Sequence, residues 1–99
     1  MITTRTTGLH LVAANGLTHI CRELLTMIDA NPNIHADAKD DGGRTALMWA
    51  AHHGHSEIVE LLLDRQYDVR HDRTCHRGDT ALNYAARQGQ VVIIKLLLE

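Results

Sequence analysis

Residues 45–63 read TALMWAAHHGHSEIVELLL, and residues 80–98 read TALNYAARQGQVVIIKLLL. Threonine, an alanine pair, a glycine and a closing leucine triplet recur at the same places, with an offset of 35 residues from Thr45 to Thr80. A weaker copy, TGLHLVAANGLTHICRELL at residues 7–25, begins 38 residues before Thr45. Repetition with a period of roughly 20–50 residues is typical of stacked supersecondary units.

Each copy has the pattern of two short helices separated by a glycine. Thr45 is a good N-cap because its hydroxyl can accept a hydrogen bond from the first helical turn. Ala50 and Ala51 are small enough to let neighbouring helices approach closely, and Gly54 can end the first helix in a left-handed turn. We expect Ser56 to cap the second helix. One such pair cannot bury its own apolar face, so the three copies must stack.

The middle copy resembles the ankyrin repeat family, whose pattern runs roughly D-x-x-G-x-T-P-L-H-x-A-A-x-x-G-H-x-E-V-V-x-L-L-L. The matching or nearly matching residues are Asp40, Gly43, Thr45, Leu47, Ala50, Ala51, Gly54, His55, Glu57, Ile58, Val59, Leu61, Leu62 and Leu63. The resemblance covers roughly residues 7–99. It implies an all-α fold, an ankyrin-type helical-hairpin solenoid of about three repeats with extended connecting loops. We expect a single domain over residues 1–99, with repeats at about 5–37, 40–72 and 75–99.

Some positions depart from the family pattern. The family histidine is kept at His10 but replaced by Met48 and Asn83. The connectors at residues 34–45 and 69–80 are longer than the family norm. We therefore expect longer or less regular hairpin loops.

Composition restricts the possible partners and compartment. The 99 residues are 44% apolar and 22% charged, with a net charge of −2, which fits one small globular domain. This charge argues against nucleic acid and against an anionic membrane as partners. The sequence has neither a signal-peptide pattern nor an apolar run of about 20 residues. Cys21 and Cys75 lack the spacing of a disulfide framework, so we expect an intracellular, cytoplasmic protein, or one in the host cytosol if it is an effector.

Histidine clusters raise the possibility of a metal site. One group is His52, His53 and His55, and a second is His71, Cys75 and His76. Zinc needs three or four converging ligands. Gly54 interrupts the helix within the first group, so we expect its rings to diverge. The second group lies on one loop and has no paired C-x-x-C spacing. We therefore predict no metal and no other cofactor.

The sequence offers little support for catalysis. Cys21 aligns with Val59 and reads as a small core residue. Cys75 stands beside His76, and adjacent residues rarely provide the oriented base that a thiolate nucleophile needs. Residues 41–44 are read as a turn and not as a phosphate-binding loop. We predict that the chain is not an enzyme.

Two further features leave alternatives open. Arg70, Arg73 and Arg77 alternate with acidic residues in one loop, which is either solvated or a contact patch for an acidic partner. Trp49 and Tyr84 occupy equivalent positions in the second and third copies. They are read as packing between repeats, with exposed binding anchors as the alternative.

The two ends of the stack are expected to differ. The first copy carries His19, Arg22 and Glu23 on its second helix, which predicts a polar outer surface. The last copy carries Val91, Val92 and Leu96, which predicts an uncovered apolar face. Either the chain is a fragment of a longer one, or a second copy or a partner buries this face.

The resemblance implies a module that binds another protein through the first helices and the loop tips. Carried over position by position, the contact residues are Asp41, Gly42, Arg44, His52 and His53 in the second repeat, and His76, Arg77, Asp79, Arg87 and Gln88 in the third. Alternatively, the chain is an architectural or regulatory ankyrin segment of a larger enzyme or effector. Binding through His52 and His53 should change between about pH 5.5 and 7.5, where an unperturbed imidazole titrates.

Overall fold

The computed structural model describes residues 7–31 and 35–99, and in those residues it contains helices and no strand. The three helical pairs are α1 (Gly8–Asn15) with α2 (Thr18–Asp29), α3 (Ala46–His53) with α4 (Ser56–Leu62), and α5 (Ala81–Arg87) with α6 (Val91–Leu98). A short 3₁₀ turn, Arg65–Tyr67, follows α4. The predicted all-α hairpin fold is confirmed. Within the described ranges, none of these helices combines the length and apolarity that crossing a bilayer requires.

The helices form two layers. In one layer α3 lies between α1 and α5, and in the other α4 contacts both α2 and α6. Ala50, Ala51 and Ala85 are completely buried in the first layer, because small side chains are what close helix packing leaves room for. Ile58 and Leu62 are completely buried in the second layer. Burying each such large aliphatic side chain stabilises the fold by about 1.5–3 kcal/mol.

The same N-cap begins all three first helices: the hydroxyl of Thr7, Thr45 or Thr80 accepts a hydrogen bond from the backbone N–H three residues later. The side chain at that third position accepts a hydrogen bond from the backbone N–H of the threonine. In the first repeat this side chain is His10, whose Nε2 also donates to the carbonyl of Arg44 at 2.9 Å. The family histidine therefore joins repeat one to repeat two. The prediction that Ser56 caps α4 is wrong, because His55 is the N-cap and Ser56 is the first helical residue.

Two glycines allow neighbouring repeats to approach closely. His55 lies over Gly16, where an added Cβ would be 2.7 Å from the imidazole, and its Nε2 donates to the carbonyl of Ala14 at 3.1 Å. Gln90 lies over Gly54 in the same way, with its side-chain amide 2.8 Å from an added Cβ. Both glycines also adopt positive φ, which residues with a Cβ avoid. The residue after one repeat's glycine thus packs on the glycine of the repeat before it.

The loop tips at residues 40–44 and 75–79 have the same hydrogen bonding. In each turn the N–H of the first residue donates to the carbonyl of the fifth, at 2.8 Å and 2.9 Å. The N–H of His76 donates to the carbonyl of Gly42 at 2.9 Å, which joins the two tips. Before the tips, Lys39 Nζ donates to the carbonyl of Thr74 at 3.2 Å. The predicted irregularity is therefore wrong for the tips, because backbone pairing fixes them.

Both ends of the stack expose apolar side chains. At the end formed by α6, Val91 is 59% exposed and Val92 is 60% exposed, as predicted, whereas Leu96 is half-buried. On α2, Ile20 is 47% exposed and Met27 is 64% exposed. These residues lie among the exposed His19, Arg22 and Glu23. The prediction of a polar outer surface on repeat one is therefore corrected to a mixed surface.

Substituting the carboxylate that organises the first tip should destabilise the fold. Asp40 is buried, and its oxygens accept from the N–H groups of Gly42 and Arg44 at 2.9 Å and 2.8 Å and from the indole N–H of Trp49 at 3.1 Å. We expect Asp40→Ala to lower the free energy of unfolding by about 2–3 kcal/mol, because these donors lose a charged acceptor. Urea denaturation followed by circular dichroism measures the change.

The matched control is Cys75→Ala at the equivalent place in the second tip, where the acceptor is a thiol. Sulfur is a weak acceptor, so this variant should lose about 1 kcal/mol or less. Equal losses at the two positions would contradict the assigned role of the Asp40 carboxylate.

Candidate functional site

A narrow slot lies between the first helices of repeats two and three. Its volume is about 120 Å³, and it is lined by Arg44, Met48, Trp49, His52 and Tyr84, which together are called the ring slot below. The His52 ring meets the Tyr84 ring edge-on, with centroids 5.8 Å apart. The Arg44 guanidinium lies 4.6 Å from the Trp49 ring centroid, a cation–π distance. The slot is therefore walled by aromatic rings and open to solvent.

Hydrogen bonds hold both aromatic walls in place. The Trp49 indole donates to Asp40 at 3.1 Å, and the Tyr84 hydroxyl donates to the sulfur of Cys75 at 3.5 Å. Burial, together with this hydrogen bond to Cys75, raises the pKa of Tyr84 to about 12, so its hydroxyl stays protonated and remains a donor. Each ring is thus anchored to the tip of its own repeat.

A wider cleft adjoins the ring slot at the loop tips. It has a volume of about 350 Å³ and is called the tip cleft below; its lining residues are Gly42, Arg44, Cys75, His76, Arg77, Asp79, Tyr84 and Arg87. Arg44 and Tyr84 belong to both, so the slot and the cleft are continuous.

The three arginines of the tip cleft differ in their pairing. Arg44 forms an ion pair with Asp40 through Nε at 3.2 Å, and Arg87 forms one with Asp79 through Nη2 at 2.5 Å. Arg77 is exposed and forms no ion pair within residues 7–31 and 35–99. A guanidinium has five N–H donors, so even the paired arginines retain donors for a ligand.

The two cysteines have opposite environments. Burial raises the pKa of Cys21 to about 11, which fits the predicted core position. Burial also raises the pKa of Cys75, but hydrogen bonds from Tyr84 and from the backbone N–H groups of Arg77 and Asp79 outweigh it and hold that pKa below its ordinary value. Cys75 therefore occupies, in repeat three, the acceptor position that Asp40 occupies in repeat two.

The histidine rings at the end of α3 converge, so the prediction that they diverge is wrong. The centroids of His52 and His53 are 4.8 Å apart, and those of His53 and His55 are 6.1 Å apart. The left-handed turn at Gly54 returns the chain and places His55 beside His53. His53 also stacks on Trp49, with an angle of 7° between the ring planes. Among the described residues, no group of three or more potential ligands is placed to hold a metal ion.

Burial and the neighbouring His52 and His55 lower the pKa of His53. The ring is therefore mostly neutral at neutral pH.

The three loop arginines, for which a shared contact patch was one of two alternatives, are separated in the structure. Arg70 pairs with Asp72 at 3.0 Å, and Arg73 pairs with the buried Asp37. Burial raises the pKa of Asp37 despite this pairing. Only Arg77, of the three, lines the tip cleft. The three arginines therefore do not form one contact patch, because Asp72 of the same loop binds Arg70 and Asp37 of the preceding loop binds Arg73.

The structure brings together seven of the ten predicted contact residues. The ring slot and the tip cleft include Gly42, Arg44, His52, His76, Arg77, Asp79 and Arg87. Asp41 and Gln88 are exposed outside the two, and His53 faces Trp49 and His55.

Four lining residues were not predicted as contacts: Met48, Trp49, Cys75 and Tyr84. The signal for Trp49 and Tyr84 was their equivalence in two repeats. This equivalence was interpreted as packing between repeats. Both rings are half-buried, so each packs along one side and is open on another.

Comparison with known families agrees with this architecture. A family model for ankyrin repeats, in three copies, matches residues 9–99. The chain therefore belongs to the ankyrin repeat family. Ankyrin repeats are generally protein–protein interaction modules and are typically not enzymes.

The histidine cluster predicts a pH-dependent stability. Because the folded-state pKa of His53 is lowered, the unfolded chain binds its proton more readily, and stability is lost as pH falls from about 6.5 toward the folded-state pKa. We expect urea denaturation from about pH 7.5 to 5 to show a smaller loss of unfolding free energy in His53→Gln than in the wild type. His71→Gln, in an exposed loop, is the control and should retain the full loss. An unchanged loss in His53→Gln would rule out this contribution.

Proposed function

We propose that this chain binds a partner protein through the surface formed by its first helices and loop tips. The contact residues proposed are Asp41, Gly42, Arg44, His52, His53, His76, Arg77, Asp79, Arg87 and Gln88, with Trp49 and Tyr84 added from the geometry. The ring slot and the tip cleft form the centre of this surface. In this proposal the chain carries no catalytic group, and it works in a reducing intracellular compartment, which its two unpaired cysteines favour.

The observation that carries the proposal is the preorganisation of the ring slot. Trp49 and Tyr84 present partly exposed faces, while hydrogen bonds to Asp40 and Cys75 restrict their rotation. Aromatic and arginine side chains in well-packed pockets supply most of the binding energy in protein interfaces. A rigid aromatic pair beside three arginines therefore favours protein binding over a purely structural role.

Affinity capture with matched variants tests the proposal. His52→Ala combined with Arg87→Ala should lose a captured protein, while Glu60→Ala combined with Lys95→Ala should retain it. The control residues are exposed, occupy equivalent places in α4 and α6, and lie outside the slot and the cleft. Circular dichroism checks that both variants fold. Retention of the same proteins by both double variants would reject the proposed surface.

Binding should also depend on pH through His52 and His53. Protonation of His53 adds positive charge at the rim of the ring slot, and because its pKa is lowered we expect affinity for the captured partner to change mainly below about pH 6.5. Fluorescence anisotropy with the labelled partner measures this change. The variant His52→Gln with His53→Gln should show a weaker pH dependence, and a flat profile in the wild type would count against a role for these rings.

The exposed face of α6 favours a second candidate, an architectural role through end-to-end contacts. Val91 and Val92 stand where repeat two has Ser56 and Glu57, and together with the half-buried Leu96 they leave an apolar surface open. Such a face could associate with a second copy, or with further parts of a larger enzyme or effector that this chain regulates.

Restoring the repeat-two residues tests self-association. We expect sedimentation of the wild type to show concentration-dependent association, and Val91→Ser with Val92→Glu to be monomeric, because a charge opposes burial of this face. Glu57→Ala, at an exposed position of α4, is the control and should associate like the wild type. A wild-type chain that stays monomeric at high concentration would remove self-association.

A further inference from the structure

The tip cleft has a charge opposite to that of the chain. The whole sequence carries −2, whereas the cleft lining has three arginines against one acidic residue, Asp79. Asp40 beneath the cleft neutralises part of Arg44, which leaves the balance positive. Arginine binds carboxylates in a bidentate manner, so the lining is complementary to an acidic ligand.

The donors left for such a ligand belong to different elements. Arg44 donates to Asp40 only through Nε, and its two terminal nitrogens donate to no atom of the described residues. Arg77 lies on the tip of repeat three, and Arg87 lies at the end of α5. A partner carboxylate in the cleft can therefore be held by arginines from both repeats.

The adjoining ring slot accepts a different kind of group. An apolar cavity of about 150 Å³ holds a molecule of benzene, so a slot of about 120 Å³ has room for one aliphatic side chain. Its floor includes the buried Met48, and its walls are the Trp49 and Tyr84 rings. The slot thus suits the apolar anchor residue that protein interfaces commonly use.

We infer that the ligand is an acidic peptide segment of the partner, with one apolar side chain in the ring slot and a carboxylate, close to it in sequence, in the tip cleft. This inference rests on the proposed protein-binding function. Arg44 and Tyr84 line both the ring slot and the tip cleft, so the two sites adjoin. The apolar side chain and the carboxylate of the peptide must therefore be close in sequence. A single peptide carboxylate fits better than a nucleic-acid backbone, since a row of phosphates would also have to pass Asp79 in the cleft lining.

Peptide selection tests the inference without knowledge of the natural partner. A random-sequence peptide display library is selected on the full chain, and enriched peptides are synthesised with a fluorescent label. We expect enriched sequences to combine an acidic residue with a nearby apolar residue. Replacing the peptide's Asp or Glu by its amide should weaken binding by about tenfold or more, since the hydrogen bonds lost are to a charged group. Replacing the apolar anchor by alanine should do the same.

Variants of the chain assign the contact. Arg77→Ala should weaken binding and largely abolish the effect of the acid-to-amide change in the peptide, which is the coupling expected of a direct pair. Lys95→Ala, on α6, should change neither the affinity nor the effect of the acid-to-amide change. Because Arg77 makes no ion pair with a described residue, its substitution removes none among residues 7–31 and 35–99.

The remaining outcomes separate the two levels of the proposal. Peptides that need Arg87 and His52 but contain no acidic residue would overturn the acidic-ligand inference and keep the proposed surface. Peptides insensitive to every substitution at the slot and cleft would overturn both. Failure to enrich any peptide, or competition by a single-stranded oligonucleotide with higher affinity than the peptides, would overturn the inference.

Discussion

Close packing of the first helices in neighbouring repeats is the constraint on which the other features depend. Ala50, Ala51 and Ala85 are completely buried, so α3 and α5 approach without a large side chain between them. Only at that separation does the His52 ring reach the edge of the Tyr84 ring. The ring slot is therefore a property of two stacked repeats, and neither repeat would form it alone.

The loop tips extend this coupling beyond the helices. A backbone hydrogen bond joins the two tips, and in each tip the first residue accepts donors from its own turn and from an aromatic residue of the following helix. In repeat two the acceptor is the Asp40 carboxylate, and in repeat three it is the Cys75 thiol. Burial raises the pKa of Asp40, but hydrogen bonds from Arg44 and Trp49 outweigh this and lower it. Charged and apolar parts of the surface are consequently fixed by one hydrogen-bond system.

The repeat pattern was sufficient to predict the helices, the threonine caps and the left-handed glycine, because these depend on residues close in sequence. The cap of α4 was misassigned by one residue, since Ser56 enters the helix without a side-chain bond. The surface of α2 is mixed and not polar because Ile20 and Met27 are exposed beside Glu23, although both are apolar. These errors concern exposure and cap geometry, which one-dimensional spacing describes poorly.

The candidate site was less predictable, because its geometry depends on contacts between repeats. The position of His55 beside His53 follows from the turn at Gly54. The separation of the loop arginines follows from Asp72 on their own loop and Asp37 on the preceding one. Equivalence of Trp49 and Tyr84 indicated a shared role but not the open side of each ring. Position in a repeat thus predicts which residues can meet, whereas the packing decides which of them remain accessible.

The stacking of repeats two and three can be tested directly in solution by nuclear Overhauser effects between the ring protons of His52 and Tyr84. The structure predicts clear cross-peaks for this pair, whose ring centroids are 5.8 Å apart, alongside cross-peaks between the His53 and Trp49 rings within α3. Cross-peaks within α3 but none between His52 and Tyr84 would show folded hairpins that do not stack in this way, and would contradict the existence of the ring slot.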